Sequence, residues 1–255
     1  MKFLSMAVSA LALFLAACAG GTDGQDSVLP KSLISDSLMS AAAHAETSGD
    51  FRSAAAHYRT LFERAPRDKQ IALRYARALR LAGEGRQTAA FLEQFSRNDK
   101  KPDADILIEL AKAYLASDQM PIAHRYLDQA MSLASNRWEI PSLLGVILDY
   151  QGKSADARDH YGAALTLSPD NASVLNNLGL SLAMSGELDE AIATLEKAKD
   201  QPGASHHIRQ NLALLLAMKG DAAGAERFLR KDQTPEMVRA NQRYFRALAD
   251  SVKSY

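Results

Sequence analysis

The chain has 255 residues, 47% hydrophobic and 24% charged, which is the composition of a folded protein and not of a disordered one. Its 30 lysines and arginines balance 30 aspartates and glutamates, so no net field favours nucleic acid or an anionic surface. A single cysteine excludes an internal disulfide and a cysteine-based zinc or iron–sulfur site.

The N-terminus has the layout of a secretory signal peptide over residues 1–17. Lys2 supplies a positive charge, an apolar run follows from Phe3 to Phe14, and small residues lead to Cys18. Even when it is extended to Ala17, this stretch of about 15 residues is shorter than the roughly 20 that cross a bilayer. A permanent transmembrane helix is therefore the weaker alternative.

The stretch "LAAC" at residues 15–18 resembles the lipobox of bacterial lipoproteins. The resemblance implies that the signal is cut just before Cys18 and that its thiol is acylated, so that Cys18 is the lipid-attachment residue. The alternative, a buried free cysteine, fits poorly beside a cleavable segment. Each buried CH₂ contributes about 0.8 kcal/mol, so a multiply acylated chain stays on its membrane.

The residue after Cys18 is Ala19 and not aspartate, which by resemblance to enterobacterial sorting favours the outer membrane. We therefore expect a bacterial protein on the periplasmic face of the outer membrane, held there through its lipid anchor. Residues 18–34, with the lipidated cysteine at their start, are rich in Gly, Asp and Ser and predict a flexible tether.

An internal repeat occupies most of the remaining chain. Six turn-forming residues recur at spacings of 34, 35, 34, 34 and 34: Gly49, Gly83, Asp118, Gly152, Gly186 and Gly220. A small residue stands five positions after each turn: Ala54, Thr88, Ala123, Ala157, Ala191 and Ala225. Another stands seven positions before each: Ala42, Ala76, Ala111, Gly145, Gly179 and Ala213. Two antiparallel helices joined by a tight turn come closest at such positions, where only a small side chain fits.

This pattern predicts an all-α superhelix of tetratricopeptide (TPR) hairpins over residues 35–233. The six repeats are expected near residues 35–68, 69–103, 104–137, 138–171, 172–205 and 206–233. The link "SRNDKKPDAD" between the second and third repeats is one residue longer, which makes it the best candidate for a hinge. Thr234 can cap a final helix over residues 234–255 that would cover the open end of the last repeat.

No arrangement of residues indicates catalysis, a metal or a cofactor. The sequence "QGKS" at residues 151–154 resembles the end of a phosphate-binding loop, but Ile147 replaces the glycine that the loop needs. The histidines are spread along the repeats, and no serine–histidine–aspartate spacing favours a hydrolase. We predict a protein that is not an enzyme and binds neither nucleic acid nor a small-molecule substrate. An envelope hydrolase is the alternative from another class.

Protein partners are expected on the concave surface, which the first helix of each repeat would form. Asn177 and Asn211 occupy the sixth position of their repeats, 34 residues apart. In TPR proteins that bind extended peptides, asparagine at this position holds the peptide backbone, because an amide offers both a donor and an acceptor. Neighbouring inward positions extend a polar groove without strong charge: Ser142, Asp149, Asn176 and Gln210. The alternative is that these amides only bridge adjacent helices.

The segments "NNLGLSLAMSGELDEAI", "RQNLALLLAMKGDAAGAERFLRKD" and "RANQRYFRAL", with the signal, lipobox and repeats, resemble the TadD family of tight-adherence (Flp) pilus lipoproteins. The resemblance is most specific over residues 172–250. It implies a non-enzymatic factor that helps the outer-membrane secretin to localise or multimerise, with the secretin or other Tad pilus components as partners. A pilotin-like lipoprotein of type IV pili and a TPR adaptor for envelope proteases are the alternatives.

Overall fold

The computed structural model describes residues 31–97, 101–229 and 243. Residues 31–97 and 101–229 form twelve α-helices and no strand, so the predicted all-α fold is confirmed. They are α1 (Lys31–Thr47), α2 (Phe51–Arg64), α3 (Lys69–Leu81), α4 (Gly85–Ser96), α5 (Ala104–Leu115), α6 (Met120–Leu133), α7 (Glu139–Tyr150), α8 (Ser154–Leu167), α9 (Ala172–Met184), α10 (Leu188–Lys199), α11 (His206–Met218) and α12 (Ala222–Leu229).

The helices pair in chain order into six hairpins, each starting within four residues of a predicted repeat start. One boundary is corrected: α1 begins at Lys31, so the last four residues of the predicted tether are helical. The helix extends that far because residues 31–47 contain neither glycine nor proline. The signal peptide, Cys18, the rest of the tether and the capping helix, apart from Arg243, lie outside the described residues.

The turn inside each hairpin contains one residue with a left-handed backbone, at the position of each predicted turn-forming residue. The φ angles are 76° at Gly49, 89° at Gly83, 58° at Asp118, 74° at Gly152, 84° at Gly186 and 92° at Gly220. Glycine adopts this conformation without a steric penalty, and aspartate is one of the few other residues that tolerate it. The turn then ends the first helix and directs the chain into the second.

Small residues allow the two helices of each hairpin to approach closely. The predicted small positions are buried in all six hairpins. At two of them even alanine is too large, because a Cβ on Gly145 would lie 2.6 Å from Cε1 of Tyr161 and one on Gly179 would lie 2.9 Å from Cγ of Leu195. These glycines are therefore required by packing.

Large side chains on the second helices fill the space between hairpins. Five of these side chains are no more than 1% exposed: Tyr58, Leu92, Leu127, Tyr161 and Leu195. Burial of each of the three leucines contributes about 1.5–3 kcal/mol, and no hairpin can bury its own core alone. The stability of the array therefore comes from contacts between successive hairpins.

Polar contacts also cross the joint between the second and third hairpins, next to the predicted hinge. The hydroxyls of Tyr114 and Tyr126 both donate to Glu93, and the two rings stack with centroids 5.5 Å apart. Lys69 lies 2.8 Å from Asp103 and 3.0 Å from Asp105. These contacts oppose bending at the joint, and the hinge stays a prediction.

Among the described residues, no helix combines the length and the apolar character that crossing a membrane requires.

Candidate functional site

The first helices of successive hairpins form one continuous surface. α3 packs against α5, α5 against α7, α7 against α9 and α9 against α11. The second helices cover one face of this layer and leave the other open, which is the concave surface of a stacked-repeat protein. We call this open face the inner groove.

The C-terminal half of the inner groove contains an open cavity of about 450 Å³, which we call the apolar pocket. Its lining residues are Val146, Asp149, Tyr150, Tyr161, Asn177, Leu180 and Met184. Tyr150 and Met184 end consecutive first helices, 34 residues apart, and are 65% and 62% exposed. The groove that was expected to be polar is therefore largely apolar at this place, because the ends of α7 and α9 place large apolar side chains at the rim.

Beside this pocket, amide side chains connect three first helices in a series that we call the amide ladder. Asn177 Nδ2 lies 3.4 Å from Ser142 Oγ, and Asn176 Nδ2 lies 3.4 Å from Asn177 Oδ1. Asn211 Nδ2 donates to Asn176 Oδ1 at 2.8 Å. The ladder thus joins α7, α9 and α11. Helix bridging, the alternative interpretation of these amides, accounts for part of their arrangement.

The two asparagines singled out from the sequence differ in how firmly they are held. The 3.4 Å contacts of Asn177 are longer than a good hydrogen bond, so its donor and acceptor can pair with a partner's backbone at little cost. Asn177 also lines the apolar pocket. Asn211 makes the short hydrogen bond to Asn176, so its amide must break a bond within the array before it can pair with a partner. Binding by either residue stays a prediction, and Asn177 is the better placed.

The other predicted groove residues have separate environments. Asp149 lines the apolar pocket and accepts from the Tyr161 hydroxyl and from Ser181 Oγ, both at 2.8 Å. Burial, and then the hydrogen bond to Asp149, raises the pKa of Tyr161.

Ser142 is only 3% exposed, so its predicted role as a groove contact is corrected: its hydroxyl contacts Asn177 in the ladder and is not available to a partner. Gln210 is exposed, with Oε1 3.1 Å from His207 Nδ1 at the start of α11.

The N-terminal half of the inner groove contains a second open cavity of about 480 Å³, which we call the charged pocket. Its lining residues are Glu46, Gln70, Leu73, Arg74, Arg77, Asp105, Ile108, Glu109, Lys112 and Arg137. This pocket was not predicted from the sequence. A usable signal was present, because Arg74 and Glu109 hold the same sixth repeat position as Asn177 and Asn211.

Two carboxylates on α5 organise the charged pocket. Asp105 lies 3.0 Å from Lys69 and 2.5 Å from Arg137, and the hydrogen bond from Arg137 is the main reason why its pKa is lowered. Glu109 lies 2.7 Å from Arg80 and 3.5 Å from Lys112. These pairs connect the second hairpin to the third, and the third to the loop that precedes the fourth.

The described residues of the inner groove offer groups that can bind a partner by noncovalent contacts. No group of three or more His, Cys, Asp or Glu side chains that could hold a metal ion occurs in residues 31–97 and 101–229. Both oxygens of Asp149 are engaged by hydroxyls that orient it within the wall of the apolar pocket. What the inner groove presents is apolar area, amides and arginines.

These hairpins carry the signature of a known class of repeat protein. The profile of the tetratricopeptide repeat family matches residues 40–105 and 142–206, just over half of the chain, and the chain belongs to this family. Tetratricopeptide repeats bind protein partners, so the chain is a protein-interaction scaffold.

Two relatives illustrate how far the sequence similarity extends. The uncharacterized protein y4yS of Sinorhizobium fredii (strain NBRC 101917 / NGR234) is 31% identical over 114 residues, which are 45% of this chain and 62% of that protein. Human tetratricopeptide repeat protein 7A is 23% identical over 120 residues, which are 47% of this chain and 14% of that protein. The similarity therefore spans less than two thirds of the length of each relative.

Solved structures with the same fold include the thermophilic TPR protein TTC0263 of Thermus thermophilus, with a TM-score of 0.61 and 21% identity over 70% of this chain and 98% of that one. The Cut9–Hcn1 hetero-tetramer of APC/C gives a TM-score of 0.64 at 16% identity, over 84% of this chain and 42% of that one. PilF of Pseudomonas aeruginosa gives 0.50 at 16% identity, over 77% and 89%. At these identities the likeness establishes the fold alone.

Proposed function

We propose that this chain is a non-enzymatic lipoprotein on the periplasmic face of the outer membrane, where it supports assembly of the Tad (Flp) pilus secretion machinery. Its partner is the secretin or another Tad pilus component, held in the inner groove. The signal peptide and lipobox ending at Cys18 support the location. The TadD-like segments within residues 172–250 support the machinery.

The observation that carries the proposal is the apolar pocket with Asn177 in its wall. Tyr150 and Met184 leave large apolar surfaces exposed at its rim, and covering them with a partner is favourable by about 25 cal/mol per Å² of apolar area removed from water. Asn177 can pair with the partner's main chain, which fixes the register of a bound segment. Apolar area and one loosely held amide are what recognition of a protein segment needs.

A lipid anchor suits a scaffold of this kind. It concentrates the inner groove at the membrane in which the secretin must assemble, so that a moderate intrinsic affinity is enough. The residues after Cys18 then set how far the array reaches from the membrane. The anchor and the groove have distinct tasks, because the first determines where the partner is met and the second which partner is held.

The test is deletion of the gene in its own host, followed by counting surface Flp pili and measuring secretin multimers in the outer membrane. We expect fewer pili and a shift of the secretin from multimers to monomers, both restored by the wild-type gene. Normal pili with a normally assembled secretin would contradict the proposal. Loss of type IV pili alone would instead support the pilotin-like alternative.

The gene neighbourhood supplies an independent check. We expect genes for a prepilin peptidase, a secretin and the Tad ATPase beside this gene. A neighbourhood without them would count against the Tad assignment and leave the protein-interaction scaffold in place.

A further inference from the structure

We propose that the charged pocket binds an acidic segment of the partner protein, with Arg74 and Arg77 as the residues that pair with its carboxylates. This rests on the proposed function only in requiring that a protein partner occupies the inner groove. It adds the chemical class of the bound segment and a second contact region, separate from the apolar pocket.

The two arginines are exposed and have no hydrogen-bond or ion-pair partner among the described residues. Arg74 and Arg77 lie three positions apart on α3, and both line the charged pocket. Like charges at this helical spacing repel each other. An incoming carboxylate removes that repulsion and gains hydrogen bonds that the array leaves open.

Two of the three carboxylates that line the charged pocket do not neutralise these arginines, because other lysines and arginines of the array already pair with them. Asp105 is paired with Lys69 and Arg137. Glu109 is likewise paired, with Arg80 and Lys112. Of the lining carboxylates, only Glu46 lacks an ion pair within the described part of the chain, so two free arginines face one free glutamate. The charge still available to a ligand is positive.

The geometry favours an extended segment with acidic residues at alternate positions. Residues three apart on a helix are separated by roughly 4.5 Å along its axis. Side chains on one face of an extended strand are separated by roughly 7 Å. The long, flexible arginine side chains can make up the difference between these two spacings. Each guanidinium can bind a carboxylate through two parallel hydrogen bonds.

The position along the array adds to the specificity. The charged pocket lies on α3 and α5, and the apolar pocket lies on α7 and α9 of the same continuous surface. A partner that covers both pockets would therefore place an acidic segment against the second and third hairpins and an apolar part against the fourth and fifth.

The test measures binding of short synthetic peptides to the full-length protein in a non-ionic detergent by fluorescence anisotropy. Three peptides share the same apolar residues and carry either alternating Asp and Glu, the isosteric Asn and Gln, or Lys, with both termini blocked. We expect the acidic peptide to bind about tenfold or more tightly than the amide peptide. Its affinity should fall as salt rises, because the contacts are exposed.

The decisive variant is Arg74→Glu with Arg77→Glu, which should abolish the preference for the acidic peptide. Arg86→Glu is the matched control, since Arg86 is an exposed arginine on α4 of the same hairpin and lies outside the pocket lining. If the glutamate variant fails to fold, as judged by circular dichroism, Arg74→Gln with Arg77→Gln provides the same test. Equal affinity for the acidic and amide peptides, or an unchanged preference in the folded double variant, would overturn the proposal.

Failure of this inference can be separated from failure of the proposed function. If the acidic preference is absent while the deletion strain still loses its secretin multimers, the assignment of the charged pocket is wrong and the scaffold role stands. If the preference is present while the deletion strain assembles its secretin normally, the pocket binds acidic segments and the Tad role is wrong.

Discussion

A Cβ atom placed on Gly145 would lie 2.6 Å from Cε1 of Tyr161, closer than two nonbonded carbon atoms can approach. Tyr161 in turn donates to Asp149 in the wall of the apolar pocket. Gly145 therefore sets the spacing of α7 and α8 and, through Tyr161, the position of a residue in the candidate site.

Replacement of this glycine should destabilise the array. We expect Gly145→Ala to lower the free energy of unfolding by about 1–3 kcal/mol, because the added methyl group would push the buried Tyr161 ring out of its packed position and away from Asp149. The measurement is urea unfolding followed by circular dichroism. Gly162→Ala is the matched control, since nothing lies within 4 Å of its Cβ position on α8. There the change should stabilise by about 0.5–1 kcal/mol, through helix propensity alone. Equal effects at the two sites would refute the close-packing explanation.

The amide ladder predicts a graded series of effects on stability. Asn211→Ala should cost about 0.5–1.5 kcal/mol, because it removes the 2.8 Å bond to Asn176. Asn177→Ala should cost less, because its contacts with Ser142 and Asn176 are 3.4 Å long. A double-mutant cycle between Asn176 and Asn211 should show a coupling energy, and additive single effects would mean that the bond contributes nothing.

The ion pairs of the charged pocket predict a defined pH dependence. The hydrogen bond from Arg137, and then that from Lys69, lowers the pKa of Asp105 below its ordinary value of 3.8. A carboxyl with a lowered folded-state pKa stabilises the fold above its unfolded pKa, and this contribution is lost as pH falls through the folded pKa. Wild-type stability should therefore drop below about pH 4 by more than that of Asp105→Asn.

Urea midpoints at pH 7, 5 and 3 measure this difference. Asp159→Asn is the control, because Asp159 is an exposed aspartate on α8 without an ion pair among the described residues. We expect the control to follow the wild type at each pH. If Asp105→Asn also follows the wild type, the pairs of Asp105 with Lys69 and Arg137 do not contribute to acid sensitivity.

The proposed anchor depends on Cys18. Substitution Cys18→Ser replaces the thiol by a hydroxyl, a weaker nucleophile, so it should abolish incorporation of labelled palmitate and leave the signal uncleaved. Cells that express the wild type or the variant are labelled, and their membranes are separated by density. Label retained by Cys18→Ser would show that the lipid is attached elsewhere.

The hairpin geometry could be predicted from the sequence because each requirement falls on a single residue type. A left-handed turn demands glycine or, as at Asp118, a short polar substitute, and a close helix approach demands a residue such as Gly145. Both demands repeat with the period of the hairpin, so the spacing reveals them without any knowledge of contacts.

The candidate site was only partly predictable, because it depends on how neighbouring hairpins are offset. Repeat position indicated Asn177 and Asn211 as equivalent, whereas the structure joins Asn211 to Asn176 and leaves Asn177 loosely held. The ion pairs of Asp105 likewise depend on side-chain conformations that no periodicity encodes. A comparison of one repeat position along the whole chain would have indicated Arg74.

The measurement that tests the central claim most directly is capture of the Tad secretin by pocket variants in the native host. Met184→Glu places a charge at the exposed rim of the apolar pocket, and Met131→Glu places one on α6, outside its lining. Both side chains are substantially exposed, so neither change should shift the thermal midpoint appreciably. We expect Met184→Glu to reduce co-precipitated secretin and secretin multimers several-fold, with Met131→Glu unchanged. Secretin capture by Met184→Glu equal to that of the wild type would contradict the role of the inner groove.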